Sequence, residues 1–597
     1  MNVREVRDEL VRRAQVLLGL LQALLLLVAA AFWVVQILHG ERYRELAENN
    51  RLRSQPIKAP RGLIYDRHGR VLVENVPSYS LLLDGSRSLD LDASVAHAAS
   101  LLSRPAEVLR AGVARLKGGP AFLPVSLADN LSLAEVARFG VAGLEHPEFE
   151  VDVRQLRFYR HGREIAHVLG YLGEVSEEDL ARGGGAYVPG DLVGRKGIEA
   201  SYDAVLRGRD GQRVVVVDSR GKPLSEYGRR PAEPGQNLTL TLDLDLQQAA
   251  DRLLAGRVGV VVALDPQNGE ILALASSPAY NPNLFARRLT VAEWRELLAL
   301  PNQPLHNRAL QSEYSPGSVF KIVMATAGLS EGVVRPGDTV FCGGGAVLYN
   351  HRFRCWKRGG HGQVNLHQAI KHSCDVYFYH LGQKLGIERI AAYARRFGLG
   401  GETGVDSTGE KAGLVPDSAW SLAVRRGPWY PGETISVAIG QGPLLATPLQ
   451  IAAVVAAVAN GGRAVVPHLW AGAAAKPEPL GIDPEALETV RRGLWAVVNE
   501  PGGTGGAARI PGLDVCGKTG TVQVISQKTW VRSEDLPPEH RDHAWFVSFA
   551  PCDAPRLVLV VFSEHGGKGS AEAAPLAKAL YEHFFKVAAA QPVLIGG

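Results

Sequence analysis

Between Val16 and Leu38 the chain runs for 23 residues without a charge, interrupted only by Gly19, Gln22 and Gln36. A bilayer leaves such a segment one conformation, a helix that pairs its own backbone groups, and about 20 residues suffice to cross the hydrocarbon core. Residues 16–38 are therefore read as a transmembrane anchor behind a cytoplasmic tail, residues 1–15. A cleaved signal peptide is the alternative, because Ala29-Ala30-Ala31 offers a small-residue site, but the apolar run continues through Phe32-Trp33-Val34-Val35. Arg4, Arg7, Arg12 and Arg13 precede the span and Arg42, Arg44, Arg51 and Arg53 follow it, so positive charge barely decides orientation. The size of the remaining chain argues for export, with one pass through the inner (cytoplasmic) membrane.

The 597 residues leave room for three or four domains at about 150 residues each. A net charge of +4, with 21% charged residues and no basic stripe interleaved with aromatics, excludes nucleic-acid binding as the main activity. After a charged helical stretch, Glu41 to Arg53, the segment Ala59 to Gly69 reads as strand and turn. Short β runs and helices (Ala93 to Leu102, Pro105 to Leu116) then alternate to about Gly235, with a loop at Arg182 to Gly185 and no cluster that could do chemistry. From Asn237 the texture changes. Leu238 to Leu242 alternates and is expected to open a sheet, and Val258 to Leu264 with Glu270 to Ala275 flank a Pro266-Gln267-Asn268-Gly269 turn, a hairpin signature. Further strands are expected at Val515 to Val524, His543 to Ala550 and Leu557 to Phe562, closed by a helix from about Glu572 to Phe585. Strands at both ends of this region must meet around helices in its middle, which gives an α+β domain over 236–597 behind a mixed α/β pedestal over 39–235.

Three elements within the second region carry the chemistry: Ser318-Val319-Phe320-Lys321, Ser373-Cys374-Asp375 and Lys518-Thr519-Gly520-Thr521. Tyr314-Ser315-Pro316-Gly317 supplies a turn that delivers Ser318 to the start of a helix, and at i and i+3 Ser318 and Lys321 share a face. Apolar neighbours disfavour an ammonium, so Lys321 is a candidate base for the serine proton. The helix N-terminus offers N–H groups to a developing oxyanion. A first-turn serine with a solvated lysine is the structural alternative for Ser318 alone. The ordered trio argues against it.

S-x-x-K with a serine triplet and K-T-G is the signature set of penicillin-binding proteins and class A β-lactamases. The chain resembles class B penicillin-binding proteins over nearly all its length, most of all the penicillin-binding protein 2 family of rod-elongation D,D-transpeptidases. Besides the trio, the resemblance rests on Ala59-Pro60-Arg61-Gly62 with Asp66-Arg67, on Gly194 to Glu199 with Tyr202, Leu206 and Gly208, and on Ile439-Gly440-Gln441-Gly442 before Thr447-Pro448. It implies Ser318 as nucleophile on a D-alanyl-D-alanine bond, Lys321 as its base and Ser373 as proton relay. Lys518 would add positive charge, and Thr519, Gly520 and Thr521 would line the substrate. The N–H groups of Ser318 and Thr521 would form the oxyanion hole. Asp375 stands where the general family has Asn; an Asp there fits the penicillin-binding protein 2 branch but leaves its role open. The resemblance further implies a SEDS-family glycosyltransferase partner (RodA) met through anchor and pedestal, MreC-like elongation proteins, and recognition of stem peptides and β-lactams. A D,D-carboxypeptidase, a β-lactam hydrolase and a scaffold that activates the glycosyltransferase are the alternatives.

Cys342, Cys355, His361 and Cys374 fall in one 33-residue window and form a plausible tetrahedral zinc set, a placement the resemblance also implies. A disulfide between two of the three cysteines, or free buried thiols, are the alternatives. Cys516 and Cys552 fall near each other if the Lys518 and His543 strands pair antiparallel, as a disulfide or as two buried cysteines. His306 and His543 read as structural.

Overall fold

The computed structural model describes residues 3–590 except 86, 114–123, 144, 183–186, 189, 218–222, 287–288 and 526–532. The expected loop at Gly183 to Gly185 lies outside the described residues. The N-terminal apolar run is helical over Val3–Trp33 and continues as one π-helical turn, Val34–Leu38. Its side chains, such as Leu17, Leu24 and Leu26, are exposed, as a helix solvated by lipid requires.

The chain forms two compact units, the first comprising residues 1–61, 79–153 and 207–235. In it, the strand Gly211–Val217 pairs antiparallel with both Leu52–Ile57 and Pro223–Arg230. A separate core gathers Leu81, Leu83, Val95, Leu102, Leu127, Phe139 and Phe149. Its helices carry clear start signals: Asp90 caps Leu91–Leu102 by accepting from two backbone N–H groups, and Ser132 with Glu135 makes a capping box on Leu133–Ala142.

The second unit holds residues 62–78, 154–206 and 236–597. Its five-stranded sheet runs in the order Ile271–Ser277, Gly259–Leu264, Leu557–Ser563, His543–Ala550, Cys516–Val522, antiparallel throughout. Every residue of Gly259–Leu264 and Leu557–Ser563 is buried, so both faces of the sheet's centre are covered. The helices Leu244–Leu253, Pro448–Ala459 and Ala573–Ala590 pack against it. Cys516–Val522 lies at the edge, with one neighbour among the described strands. Cys516 and Cys552 are joined by a disulfide, which ties the start of the edge strand to the turn after His543–Ala550.

One expectation is corrected. Leu238 to Leu242 does not open this sheet: only Leu238–Thr239 is a strand, and it pairs in parallel with Ile64–Tyr65. Alternation reports one buried face and says nothing about the partner. Leu240 and Leu242 are indeed buried, while the Thr241 hydroxyl donates to the carbonyls of Ile271 and His468.

The Gly194 to Glu199 segment ends in an ion pair sealed from water. Arg157 Nε meets Glu199 Oε1 at 2.7 Å with both side chains almost fully buried, and Arg157 Nη1 also donates to the Gly62 carbonyl at 2.8 Å. Removing one partner of a buried pair strands the other's charge. Glu199→Ala is expected to destabilise this unit by about 3–5 kcal/mol, read as a lowered denaturant midpoint; a shift below about 1 kcal/mol would show that the arginine finds other compensation.

Candidate active site

The nucleophile segment is held by backbone contacts before any side chain acts. Tyr314 exchanges two hydrogen bonds with Ala446, and Gly317 N–H donates to the Gly440 carbonyl at 2.8 Å. Gly317 (φ 56°) and Gly440 (φ 73°) are left-handed, and a Cβ on Gly440 would lie 2.1 Å from the Gly317 oxygen. Only glycine permits that approach. Ser318 sits half-buried in the 3-10 turn Gly317–Phe320, one turn ahead of the helix Lys321–Ser330. Gly520 brings the edge strand close: a Cβ there would stand 3.1 Å from Val319 Cγ2.

The three sequence elements converge. Lys321 Nζ, fully buried, donates to the Ser373 carbonyl at 2.9 Å, to Ser373 Oγ at 3.2 Å and to Asp375 Oδ1 at 2.6 Å. Lys518 Nζ, also fully buried, donates to Ser373 Oγ at 2.8 Å and to the Thr519 carbonyl at 2.9 Å. Burial, with the charge of Lys321 beside it, pushes the Lys518 ammonium well below its ordinary range. Burial pushes the Asp375 carboxyl up, against the pull of Lys321. Lys321 is buried, as its apolar neighbours lead one to expect, and the Asp375 carboxylate is its ion-pair partner.

Ser373 is itself strained into place. Its φ of 52° is left-handed, which costs a residue with a Cβ about 1–2 kcal/mol. The Ser373 carbonyl accepts from Lys321 and from the Trp356 indole (3.2 Å), and the Trp356 backbone N–H donates to Asp375 Oδ2 at 3.0 Å. Trp356 was not singled out in the sequence, and neither was Thr504, whose hydroxyl accepts from Thr519 Oγ1 at 2.8 Å. No spacing links either residue to the motif it touches; the Gly-rich run around Thr504 signals a turn only.

Cys342, Cys355, His361 and Cys374 come together as a group, their donor atoms all within 4.8 Å of one another. His361 Nδ1 is 3.6 Å from both Cys342 Sγ and Cys355 Sγ. A tetrahedral ion with metal–sulfur bonds of about 2.3 Å and metal–nitrogen bonds of about 2.0 Å sets donors about 3.5–3.8 Å apart, so the set fits zinc in number, type and spacing. His306 and His543 stand away from the buried lysines; His306 Nε2 meets Ser312 Oγ, and His543 Nδ1 accepts from the His565 backbone.

Residues 259–582 match the family described as "Penicillin binding protein transpeptidase domain", and residues 56–240 match "Penicillin-binding Protein dimerisation domain". The chain belongs to the penicillin-binding protein transpeptidase family. This penicillin-binding protein is 36% identical over 592 residues to the peptidoglycan D,D-transpeptidase MrdA of Acinetobacter baumannii, covering 96% of the chain and 88% of that relative. It is 33% identical to MrdA of Escherichia coli, covering 94% and 92%. Among solved structures it is similar to penicillin-binding protein 2 in complex with MreC from Helicobacter pylori, with TM-score 0.81, 28% identity, and 90% and 99% of the two chains covered. It also matches, at TM-score 0.71 and 33% identity over 98% of this chain and 100% of the other, a chain from "Structural coordination of polymerization and crosslinking by a peptidoglycan synthase complex".

Asp375→Asn would keep an acceptor for Trp356 N–H while removing the carboxylate that raises Lys518 against its burial. The rising limb of β-lactam acylation against pH is expected to move about one unit toward acid, measured as the rate of labelling by a fluorescent penicillin between pH 5 and 10. An unchanged profile would mean that Asp375 does not control the lysine's proton.

Proposed function

We infer that this penicillin-binding protein is a peptidoglycan D,D-transpeptidase that cross-links stem peptides during cell elongation. The observation that carries the reading is the buried cluster of Lys321, Ser373, Asp375 and Lys518, with Lys518 on the edge strand of a sheet and a half-buried Ser318 one turn before Lys321. An edge strand offers free backbone groups to an extended peptide, so the donor lies along Lys518 to Thr521, its terminal carboxylate toward Thr519, Thr521 and Lys518. Ser318 Oγ attacks the D-alanyl-D-alanine carbonyl, and the N–H groups of Ser318 and Thr521 hold the oxyanion. The serine proton passes to Lys321 once that amine is free, and through Ser373 to the nitrogen of the departing D-alanine. An ester on Ser318 remains. The amine of a neighbouring stem peptide then attacks that ester, loses its proton to the same relay and regenerates the hydroxyl.

The chain divides by role into the tail 1–15, the anchor 16–38, a pedestal over 39–235 and the transpeptidase domain over 236–597. The anchor puts it in the inner membrane, with the larger part in the periplasm or its equivalent, where nascent glycan is exposed. The neighbours described with MreC and in a peptidoglycan synthase complex support elongation partners here: an MreC-like protein, and a SEDS-family glycosyltransferase (RodA) that polymerises the glycan this chain cross-links. Zinc on Cys342, Cys355, His361 and Cys374 would brace the loop carrying Ser373 and Asp375, a structural role with all four positions filled by protein.

Full-length protein in detergent should be labelled by a fluorescent penicillin on the Ser318 peptide, and Ser318→Ala should lose that label; no labelling of a folded wild type would overturn the transpeptidase reading. Stripping zinc with a chelator is expected to lower the midpoint of thermal unfolding by about 5–10 °C, with one equivalent of zinc found in the untreated protein by mass spectrometry. Metal-free protein with an unchanged midpoint would return Cys342, Cys355 and Cys374 to free buried thiols beside His361.

A further inference from the structure

The five cysteines of the chain are in two chemical states. Cys516 and Cys552 are bonded to each other, while Cys342, Cys355 and Cys374 are free. All five lie in the second unit, so surroundings oxidising enough to close the first pair act on the other three as well. The thiolate that binds a metal is also the nucleophile that attacks a disulfide, and metal and oxidant therefore compete for the same sulfurs. Two of the three free thiols are already brought together by their neighbours. Trp356 N–H donates to Asp375 Oδ2 at 3.0 Å, and the Trp356 indole donates to the His372 and Ser373 carbonyls at 3.1 and 3.2 Å. These bonds clamp the residue after Cys355 to the residues on both sides of Cys374. The two Sγ atoms lie within 4.8 Å of each other, against about 2.05 Å in a disulfide. Cys342 is held elsewhere in the group: its carbonyl accepts from His361 N–H at 3.0 Å, where Val340–Cys342 pairs with Gly362–Val364. Cys342 and Cys374 are fully buried, and Cys355, at 6% exposure, is the thiol an oxidant meets first.

Resting on the zinc reading of this group, we propose that Cys355 and Cys374 are a site of oxidative modification, a pair that closes to a disulfide when no metal holds it and then slows acylation of Ser318. The oxidant is a small-molecule disulfide, R–S–S–R. Cys355 Sγ attacks it, forms Cys355–S–S–R and releases one RSH; Cys374 Sγ then displaces the second RSH and forms the Cys355–Cys374 bond. The two thiol protons end on the two RSH molecules, and two electrons pass from the cysteines to the oxidant. Cys342 stays a thiol. The closed pair sits about 1.7 Å tighter than two sulfurs on a tetrahedral zinc, which stand about 3.8 Å apart. Cys374 lies between Ser373, left-handed at φ 52°, and Asp375, so the contraction falls on the hydroxyl and the carboxylate that Lys321 bonds.

The test uses full-length protein in detergent, one portion loaded with zinc and one stripped by a chelator, each with and without glutathione disulfide. Peptide mapping reads the cysteine links, elemental mass spectrometry counts zinc, and a fluorescent penicillin reads acylation of Ser318. Stripped protein given glutathione disulfide is expected to acquire the Cys355–Cys374 link, to take up no added zinc, and to label at least about threefold more slowly than stripped protein kept from the oxidant. Zinc-loaded protein is expected to keep three alkylatable thiols and its labelling rate, with the Cys516–Cys552 link intact in every digest. Cys355→Asp keeps a zinc-binding oxygen but no oxidisable sulfur, and its labelling rate is expected not to respond to glutathione disulfide. Free thiols at Cys355 and Cys374 in the stripped, oxidised protein would overturn the proposal, as would a closed link with unchanged labelling or a link that forms equally fast with zinc bound. Wild type that penicillin does not label before any treatment overturns the transpeptidase reading instead, and protein that takes up no zinc before oxidation overturns the zinc reading; the peptide map still decides whether the two thiols pair.

Discussion

Lys321, Lys518 and Asp375 lie out of water within hydrogen-bonding distance of one another or of the single Ser373 hydroxyl. Two ammonium groups and one carboxylate cannot all stay charged there at low cost. Burial pushes Lys518 toward the neutral amine, which removes the surplus positive charge, and pushes Asp375 toward the neutral acid against the pull of Lys321. Ser373 Oγ, bonded to both lysines, is placed to carry a proton between them. Much of the rest of the unit exists to keep that cluster dry and in register.

The fold meets this demand by building the site from three distant stretches of chain. The helix that begins at Lys321 is buried along most of its length, so the lysine is anchored in the core rather than on a loop. Lys518 comes from the edge strand, whose start is fixed by the disulfide from Cys516 to Cys552 and whose middle is held against Ser548 to Ala544 by the sheet. Ser373 occupies a conformation that its own side chain disfavours, maintained by bonds to its carbonyl from two sides. Strain of this kind persists only where surrounding contacts over-determine the geometry.

Much of this was legible from the residues. The Gly259–Leu264 hairpin, the strand His543–Ala550 and the closing helix follow from periodicity and turn chemistry, because both signals are local. The partner of Leu238–Thr239 was not legible, since alternation carries no address. The meeting of the three catalytic elements could be expected from their chemistry, whereas Trp356 and Thr504 could not. Trp356 acts through hydrogen bonds to His372, Ser373 and Asp375 across 16 to 19 residues, and Thr504 meets Thr519 across 15, and no composition or period encodes such contacts.

The position of Trp356 links the Cys/His group to catalysis. Cys355 precedes it, and Cys374 lies between Ser373 and Asp375. The backbone N–H that follows one donor residue therefore holds the carboxylate that follows another. Any force that draws the four donor side chains together shortens the same span, and any force that releases them loosens Asp375 and, through it, Lys321. Zinc held by these four residues would brace the segment beside the proton relay as well as the fold. The Cys/His hairpin is in this sense part of the site's electrostatics, even though none of its side chains touches Ser373 Oγ among the described hydrogen bonds.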